Sequence, residues 1–339
     1  MKKTFGIWVA VVFGLILILG ACGEKSQEDV VNKLESKLES MNGYKAKAQM
    51  TMNTGQEDQK YNINVWHKKK DFYRVELMND KDEKGKQIIL KNEDGVFVLS
   101  PALNKSFKFQ KEWPDNGSQP YLYQSLVSDV LKDKEATFKV GEKNYIFQTK
   151  TNYQSNNNLP YQEIYFDKKT YTPVMVKVLD KDKNSLIEVS FSDFNMNPSF
   201  KDDDFEMEKN MTSSISTDKP VSGDGKVEPF TVVFPLNLEG SELVAKKEVS
   251  LDNGQRVIMT FEGEKNFTLI EEKQDTLPAM STPKMVEGEI VNLGHSIGAL
   301  SDNTVEWTNN GVNFVLASDE LTKDELIEVA KSVQGKEVK

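Results

Sequence analysis

Side chains that alternate between apolar and polar run through much of residues 44–191, and this alternation restricts the fold more than any other feature. In the first run, polar residues separate the apolar ones: Tyr44, Ala46, Ala48, Met50 and Met52. A period of two places these side chains on one face of a strand. Further short runs follow at residues 61–65, 73–77, 88–90, 96–99, 107–109, 136–140, 145–150, 164–166, 174–179 and 186–191. Strands of this length joined by short turns are typical of an antiparallel meander.

Two segments have helical rather than strand spacing. Ser26, with Asp29 three residues later, resembles a capping box and predicts the start of the first helix. Apolar residues follow at intervals of three or four: Val30, Leu34, Leu38 and Met41. The second segment covers residues 120–131 and repeats apolar residues at a spacing of four: Leu122, Leu126 and Val130. We therefore expect one helix before the strands and one inserted among them.

Residues 1–22 have the three-part order of a secretory signal. A basic start is followed by an apolar run at residues 7–19 and then by Leu19, Gly20, Ala21 and Cys22. Cys22 is the only cysteine among 339 residues, which excludes a disulfide within the chain. Residues 19–22, the last four of this segment, resemble the bacterial lipobox. The alternative is an uncleaved transmembrane anchor, because the apolar run is close to the length that a span requires.

The resemblance to a lipobox implies that Cys22 is the site of lipid attachment. Its sulfur would take a diacylglycerol, the chain would be cut before Cys22, and the new N-terminus would usually be acylated by a chain such as palmitate. Two or three buried acyl chains give stable anchoring. With either interpretation, the remainder of the protein lies on the extracytoplasmic face of the cell membrane.

The size and charge of the chain after residue 22 predict a soluble globular protein of two domains. Once the signal is removed, about 317 residues remain, more than one core usually spans. The formal net charge of −10 disfavours nucleic-acid binding. Residues 210–227 are rich in Ser, Thr, Gly, Asp and Pro and read as a linker. In residues 228–339, short strands precede a last helix whose capping box is Thr322 and Glu325, which predicts a small α+β domain.

The order of elements and four short segments resemble LolA-like proteins, the lipoprotein-carrier superfamily that includes the sigma-factor regulator RseB. The segments are residues 66–68 (WHK), 72–76 (FYRVE), 101–105 (PALNK) and 121–126 (YLYQSL). Within this superfamily the chain resembles sporulation lipoproteins of Bacillus, which implies a role in sporulation. Residues 307–333 resemble a small domain of unknown function found on extracytoplasmic Bacillus proteins.

The resemblance implies a fold for residues 23–209 that is mainly β with α: an open, curved antiparallel half-barrel with helices on its concave side. Carriers of this superfamily hold the acyl chains of lipoproteins in an apolar cavity, whereas its regulators sense lipid and bind a protein partner. A carrier shuttles, but a chain tethered through Cys22 cannot cross a wide gap. The resemblance therefore favours a tethered receiver or sensor.

The residues offer little support for catalysis. The two histidines are far apart in sequence, and we interpret His67 as a surface residue at a strand end. His295 stands between glycines and reads as part of a turn, with a binding role as the alternative. The aspartates at 180–182 and 202–204 lack the Gly and Glu of an EF-hand loop, so solvated charge is favoured over Ca²⁺. Phosphate loops and nucleophile elbows do not occur. We expect a non-enzymatic protein with no cofactor and no metal.

The apolar stripe of the sheet remains as the candidate site. It contains nine residues that could line a cavity for an apolar or lipidated ligand: Met50, Met52, Ile63, Val65, Tyr73, Val75, Leu77, Val98 and Phe109. Flexible methionine side chains suit varied apolar ligands. The alternative for each residue is ordinary core packed by the helices. Two other functions stay open: a regulatory module that binds a membrane-protein partner, and a structural protein of the spore envelope.

Overall fold

A computed structural model describes residues 24–53, 58–80, 82–109, 113–114, 117–152, 159–212, 231–252, 254–274, 283–293 and 296–335. The helices are α1 (Gln27–Ser40), α2 (Tyr123–Lys132), α3 (Met207–Thr212) and α4 (Lys323–Lys331), with two 3₁₀ turns, η1 (Pro101–Leu103) and η2 (Asp202–Phe205). No helix in these ranges has the length and apolarity needed to cross a membrane.

Strands make up most of the described chain. Those of its first part are β1 (Gly43–Met52), β2 (Gln59–Lys68), β3 (Phe72–Asn79), β4 (Asp82–Asn92), β5 (Gly95–Ser100), β6 (Lys105–Phe109), β7 (Thr137–Val140), β8 (Asn144–Lys150), β9 (Tyr161–Asp167), β10 (Pro173–Leu179) and β11 (Ser185–Asn195). Those of its second part are β12 (Phe234–Pro235), β13 (Ser241–Leu251), β14 (Gly254–Gly263), β15 (Phe267–Gln274), β16 (Lys284–Val286), β17 (Glu289–Asn292), β18 (Ile297–Leu300), β19 (Thr304–Asn309), β20 (Val312–Ala317) and β21 (Val333–Gly335).

The first sheet is open and curved, with β7 at one edge and β16 at the other. Its twelve strands lie in the order β16-β6-β5-β4-β3-β2-β1-β11-β10-β9-β8-β7. Two meanders meet at the pairing of β1 with β11, where Met50 lies opposite Val189. Each of the runs predicted between residues 44 and 191 overlaps a strand. The predicted fold class, mainly β with an open curved sheet, is confirmed.

Helices α1 and α2 pack on the inner face of this sheet. Val30 and Leu34 of α1 and Leu126 of α2 join the same hydrophobic cluster as the inward side chains of the strands. The capping box predicted at the start of α1 is present, because Ser26 Oγ accepts a hydrogen bond from the Asp29 backbone N–H at 3.2 Å and the Asp29 carboxylate accepts one from the Ser26 N–H. Burial of these apolar faces stabilises helices too short to be stable alone.

The outer face of β4 and β5 is covered by the segment that follows β11. Ile88, Leu90, Phe97 and Leu99 point outward here and form a cluster with Phe205 and Met211. The linker predicted at residues 210–227 therefore begins inside α3, where Asn210 and Met211 are buried. Residues 213–227 lie outside the described residues. Asp204, predicted as solvated charge, is instead buried and accepts a hydrogen bond from the Lys201 N–H while Lys209 pairs with its carboxylate.

A second sheet of seven strands, in the order β13-β14-β15-β20-β19-β18-β17, forms the later part of the chain. Helix α4 packs against it through Leu326, Val329 and Ala330. Its predicted capping box is present, since Thr322 Oγ1 accepts from the Glu325 N–H. A strand is predicted at residues 230–234; of these, residues 231–234 are described, and only Phe234 lies in a strand, β12, which pairs with β21.

The two sheets touch at the β4–β6 side of the first. Strand β16, from the later part of the chain, pairs in parallel with β6 and so extends the first sheet. Gln87 of β4 is buried between the sheets: its Nε2 donates to Thr308 Oγ1 at 2.9 Å, and its Oε1 accepts from the Ile297 N–H at 3.0 Å. The backbone approaches so closely that a Cβ on Gly85 would lie 3.2 Å from the Asn310 nitrogen.

Candidate ligand-binding face and cleft

The structure brings together all nine residues predicted to line a cavity. They project from β1, β2, β3, β5 and β6 into one hydrophobic cluster on the inner face. Each is at most 9% exposed, in a cluster to which α1, α2 and strands β17 and β18 of the second sheet also contribute side chains. The inner face is therefore a continuous apolar surface beneath two short helices.

Aromatic side chains hold α2 against this face. The Tyr44 hydroxyl donates to Gln124 Oε1 at 3.0 Å and accepts from the Tyr123 backbone N–H at 3.2 Å. Its ring stacks on Phe194 with centroids 4.9 Å apart. Burial raises the pKa of Tyr44 well above its usual value, so the hydroxyl stays protonated and keeps its donor. These contacts supply an N-terminal attachment for α2, whose N-cap residue Leu122 has no side-chain hydrogen bond.

The interpretation of His67 as a surface residue is wrong. It is 6% exposed and lies between Tyr44 and Tyr73, with ring centroids at 5.6 and 4.5 Å. Its Nδ1 lies 3.2 Å from the Phe72 carbonyl oxygen. Burial lowers the pKa of His67 to about 4, so the ring is neutral at pH 7 and donates to that carbonyl through Nδ1. His67 is thus part of the aromatic core, and its strand-end position in the sequence did not indicate this.

A cleft of about 510 Å³ opens along the side of α2. Leu38 of α1 forms part of its wall, and Gln124, Ser128, Asp129 and Lys132 line it from α2. None of the nine residues predicted for a cavity lies in this wall. The cleft has the volume usual for small-molecule sites, and it combines an apolar side with polar groups.

Two polar groups mark the wall of this cleft, the half-buried Asp129 carboxylate and the buried amide nitrogen of Gln124. The Asp129 carboxylate accepts from Gln162 Nε2 at 2.7 Å and from Ser118 Oγ at 2.9 Å. Burial raises the pKa of Asp129, and the two hydrogen bonds oppose that rise. Gln124 Nε2 is buried and has no hydrogen-bond partner within the described part of the chain. Gln124 also lines the cleft, and a buried donor without a partner suits a carbonyl or carboxylate oxygen of a ligand.

The remaining predicted site residues cannot be placed. Leu19, Gly20, Ala21 and Cys22, and also His295, lie outside the described residues. Within the ranges described, His, Asp and Glu side chains do not gather in a group of three that could hold a metal ion.

Comparison with known proteins identifies the family. The family model of sporulation protein YdcC-like proteins matches residues 2–205. The chain is 48% identical to sporulation protein YdcC of Bacillus subtilis (strain 168), and the alignment covers 100% of both chains. The chain belongs to the YdcC-like family. The resemblance stated from the sequence is thereby confirmed.

Solved structures similar to this YdcC-like chain are distant in sequence. The MucA/MucB complex of Pseudomonas aeruginosa aligns with 91% of this chain and 100% of the other at 12% identity and a TM-score of 0.34. A LolA superfamily protein of Nitrosomonas europaea aligns with 55% of this chain and 99% of the other at 8% identity and a TM-score of 0.31. Both scores lie below 0.5, and the fold is established by the strand order and packing of the chain itself.

Proposed function

We propose that this YdcC-like protein is a non-enzymatic sporulation lipoprotein, anchored through Cys22 to the extracytoplasmic face of the cell membrane, that binds an apolar or lipidated ligand. The observation that supports ligand binding is the continuous apolar inner face under α1 and α2, together with the cleft that opens beside α2. The observation that supports the anchor is the single cysteine directly after Leu19, Gly20 and Ala21. The relative named a sporulation protein supports the setting.

The ligand chemistry follows from the two parts of the site. An acyl chain gains about 0.8 kcal/mol per methylene removed from water, so the apolar side of the cleft and the inner face behind it favour hydrocarbon. The buried Gln124 Nε2 offers a hydrogen bond to an ester, amide or carboxylate oxygen at the head of such a chain. Entry proceeds along α2, which is only ten residues long and has no side-chain N-cap.

A filled cleft tests this proposal. Ser128 lines the cleft, and Ser128→Trp places an indole there. We expect tritiated palmitate to bind the variant about tenfold more weakly than the parent, equivalent to roughly two methylenes left in water. The matched control is Ser36→Trp, at an exposed position of α1 that should bind palmitate as the parent does. Mass spectrometry of lipid extracted from the purified parent provides an independent readout.

Two results would contradict the proposed binding of an apolar or lipidated ligand in the cleft. Equal palmitate binding by the parent and by Ser128→Trp would remove the cleft as its site. If the purified chain carries no lipid and cross-linking at the cell surface captures one membrane protein, the function is that of a regulatory interaction module.

The anchor has its own test. Cys22→Ala removes the sulfur that would be acylated, and we expect the variant to leave the membrane fraction or to retain its signal segment. The measurement is membrane fractionation together with the mass of the mature N-terminus. Cys22→Ala protein that stays lipidated and membrane-bound would show that the anchor lies elsewhere. Surface variants such as Ser36→Trp should fractionate with the parent.

A further inference from the structure

Lys25, among the first described residues of the chain, is held against one end of the first sheet. Lys25 Nζ donates to Tyr171 Oη at 2.5 Å and lies 5.1 Å from the centre of the Tyr171 ring. Tyr171 belongs to the turn between β9 and β10. Two residues further on, Gln27 Nε2 donates to the Ala136 carbonyl at 3.3 Å, just before β7. The start of α1 is thus attached through Lys25 to the end of the sheet formed by the β9–β10 turn, and through Gln27 to the opposite end of the short strand β7.

Two turns form the end of the sheet at which Tyr171 lies, and they are joined to each other. The Lys168 backbone N–H, after β9, donates to the Lys143 carbonyl between β7 and β8 at 3.0 Å. The Tyr145 and Tyr171 rings lie 5.7 Å apart, and Lys168 Nζ lies 5.7 Å from the Tyr145 ring. We call this surface, residues 141–143 and 168–171 together with Lys25, the β7–β10 rim.

The position of Cys22 brings this rim close to the lipid. Two residues, Gly23 and Glu24, separate Cys22 from Lys25, and the three residue-to-residue steps span at most about 11 Å when fully extended. A chain acylated at Cys22 and fixed at Lys25 keeps the Lys25–Tyr171 contact, and the rim around it, close to the bilayer. The short tether and the Lys25–Tyr171 contact therefore restrict orientation as well as location.

The charges of the rim are compatible with an anionic bilayer surface. Lys143 and Lys169 are exposed, Lys168 is half-buried, and none of the three forms an ion pair with a carboxylate within the described ranges. The carboxylates nearby are Glu24, Asp29, Glu142 and Asp167, and that of Asp167 accepts from the Lys169 and Thr170 N–H groups at 2.9 and 2.7 Å. In a chain whose net charge is −10, this is a surface where lysines offset the acidic side chains. Exposed lysines at a bilayer surface are attracted to lipid phosphates.

We propose that the β7–β10 rim is a membrane-contact surface that binds the phosphates of anionic lipid head groups. The rim is then the end of the first sheet that faces the bilayer. The inference rests on the acylation of Cys22 proposed above. In this orientation the turn between β10 and β11, at the far end of strand β10, points away from the bilayer.

Fluorescent labels at the two ends of β10 test the orientation. The full lipidated chain, in which acylation blocks Cys22, carries a label at Lys169→Cys or, as the matched control, at Lys181→Cys. Vesicles of phosphatidylglycerol and phosphatidylethanolamine contain a lipid with a quencher on its head group. We expect the label at 169 to lose most of its emission, whereas the label at 181, about 20 Å away along β10, keeps most of its own.

Three outcomes would overturn the inference in distinguishable ways. Equal quenching of the two labels in protein whose acylation is confirmed by mass means that the body turns freely on its tether. Stronger quenching at 181 means that the other end faces the bilayer. An unacylated N-terminus contradicts the anchor itself, and the orientation with it.

A variant isolates the contact at Lys25. Lys25→Met removes the ammonium group that Tyr171 accepts from, and we expect the difference in quenching between the two labels to shrink. Lys33→Met, at an exposed position of α1, should leave the difference unchanged. A full difference in Lys25→Met would overturn the role of the Lys25–Tyr171 contact.

Discussion

Replacing Glu271 by glutamine is expected to remove a loss of stability that the parent undergoes as the pH rises from about 4.5 to about 8. Glu271 lies on β15 and is 0% exposed. It has the same orientation along the strand as Phe267 and Leu269 and so faces the core beneath α4. Its carboxylate accepts from the Val233 N–H through both oxygens, at 3.1 and 3.3 Å.

The direction of the effect follows from proton binding. Burial raises the pKa of Glu271 from its ordinary value of 4.5 to about 8, against the opposing influence of the Val233 N–H and the positive charge of Lys246. The native chain then holds a proton that the unfolded chain has released. The stability contributed by this group is complete below pH 4.5 and is lost as the pH rises through 8. Over this window the free energy of unfolding falls by about 5 kcal/mol at most.

Urea unfolding at pH 5 and at pH 8 measures the effect. Glutamine carries no charge at either pH, so the stability of Glu271→Gln relative to the parent should increase with pH by several kcal/mol. The new amide group adds an offset of about 1 to 3 kcal/mol that is the same at both values. Glu262→Gln, at an exposed position of the neighbouring β14, is the matched control. A difference between Glu271→Gln and the parent that is equal at pH 5 and pH 8 would show that Glu271 titrates near its ordinary range.

Much of the first sheet could be predicted because its strands bury one face. The alternation in residues 44–52 follows directly from that burial. Ser26 and Thr322 predict the starts of their helices because their side chains cap them through local hydrogen bonds. The alternation of apolar and polar residues does not predict a strand where burial does not alternate. Residues 242–247 of β13 are exposed on both faces and therefore show no alternation, and β18 is too short for a pattern.

The site was predicted only in part, for a related reason. The inward residues of β1–β3 could be grouped because they are apolar. A rule that places polar residues at the surface does not find Gln87, His67 or Glu271. These side chains are buried because distant parts of the chain form hydrogen bonds with them or pack over them. The cleft beside α2 depends on how two helices pack, which strand and helix spacing do not specify. Pairing between residues far apart in the chain, such as Met50 with Val189 where β1 meets β11, leaves no local pattern in the sequence.

Gln87→Ala is expected to lower the stability of the contact between the two sheets by about 2 to 4 kcal/mol. Gln87 Nε2 donates to Thr308 Oγ1 and to the Ile297 carbonyl, and its Oε1 accepts from Ser296 Oγ and from the Ile297 N–H. After truncation, Ser296 Oγ still donates to the Thr308 carbonyl, and Thr308 Oγ1 still contacts Ser100 Oγ. The Ile297 N–H, however, loses its acceptor in a buried position, which accounts for most of the cost.

Hydrogen exchange at individual amides distinguishes this contact from general destabilisation. In Gln87→Ala we expect faster exchange at Ile297 and in β16, which are two of the places where the later part of the chain meets the first sheet, with little change in α1. Gln49→Ala, on an exposed face of β1, should change stability by about 0.5 kcal/mol or less. Suppose instead that Gln87→Ala accelerates exchange only along β3 and β4. The hydrogen bonds of Gln87 would then stabilise its own sheet, and the parallel pairing of β16 with β6 would be sufficient to hold the two sheets together.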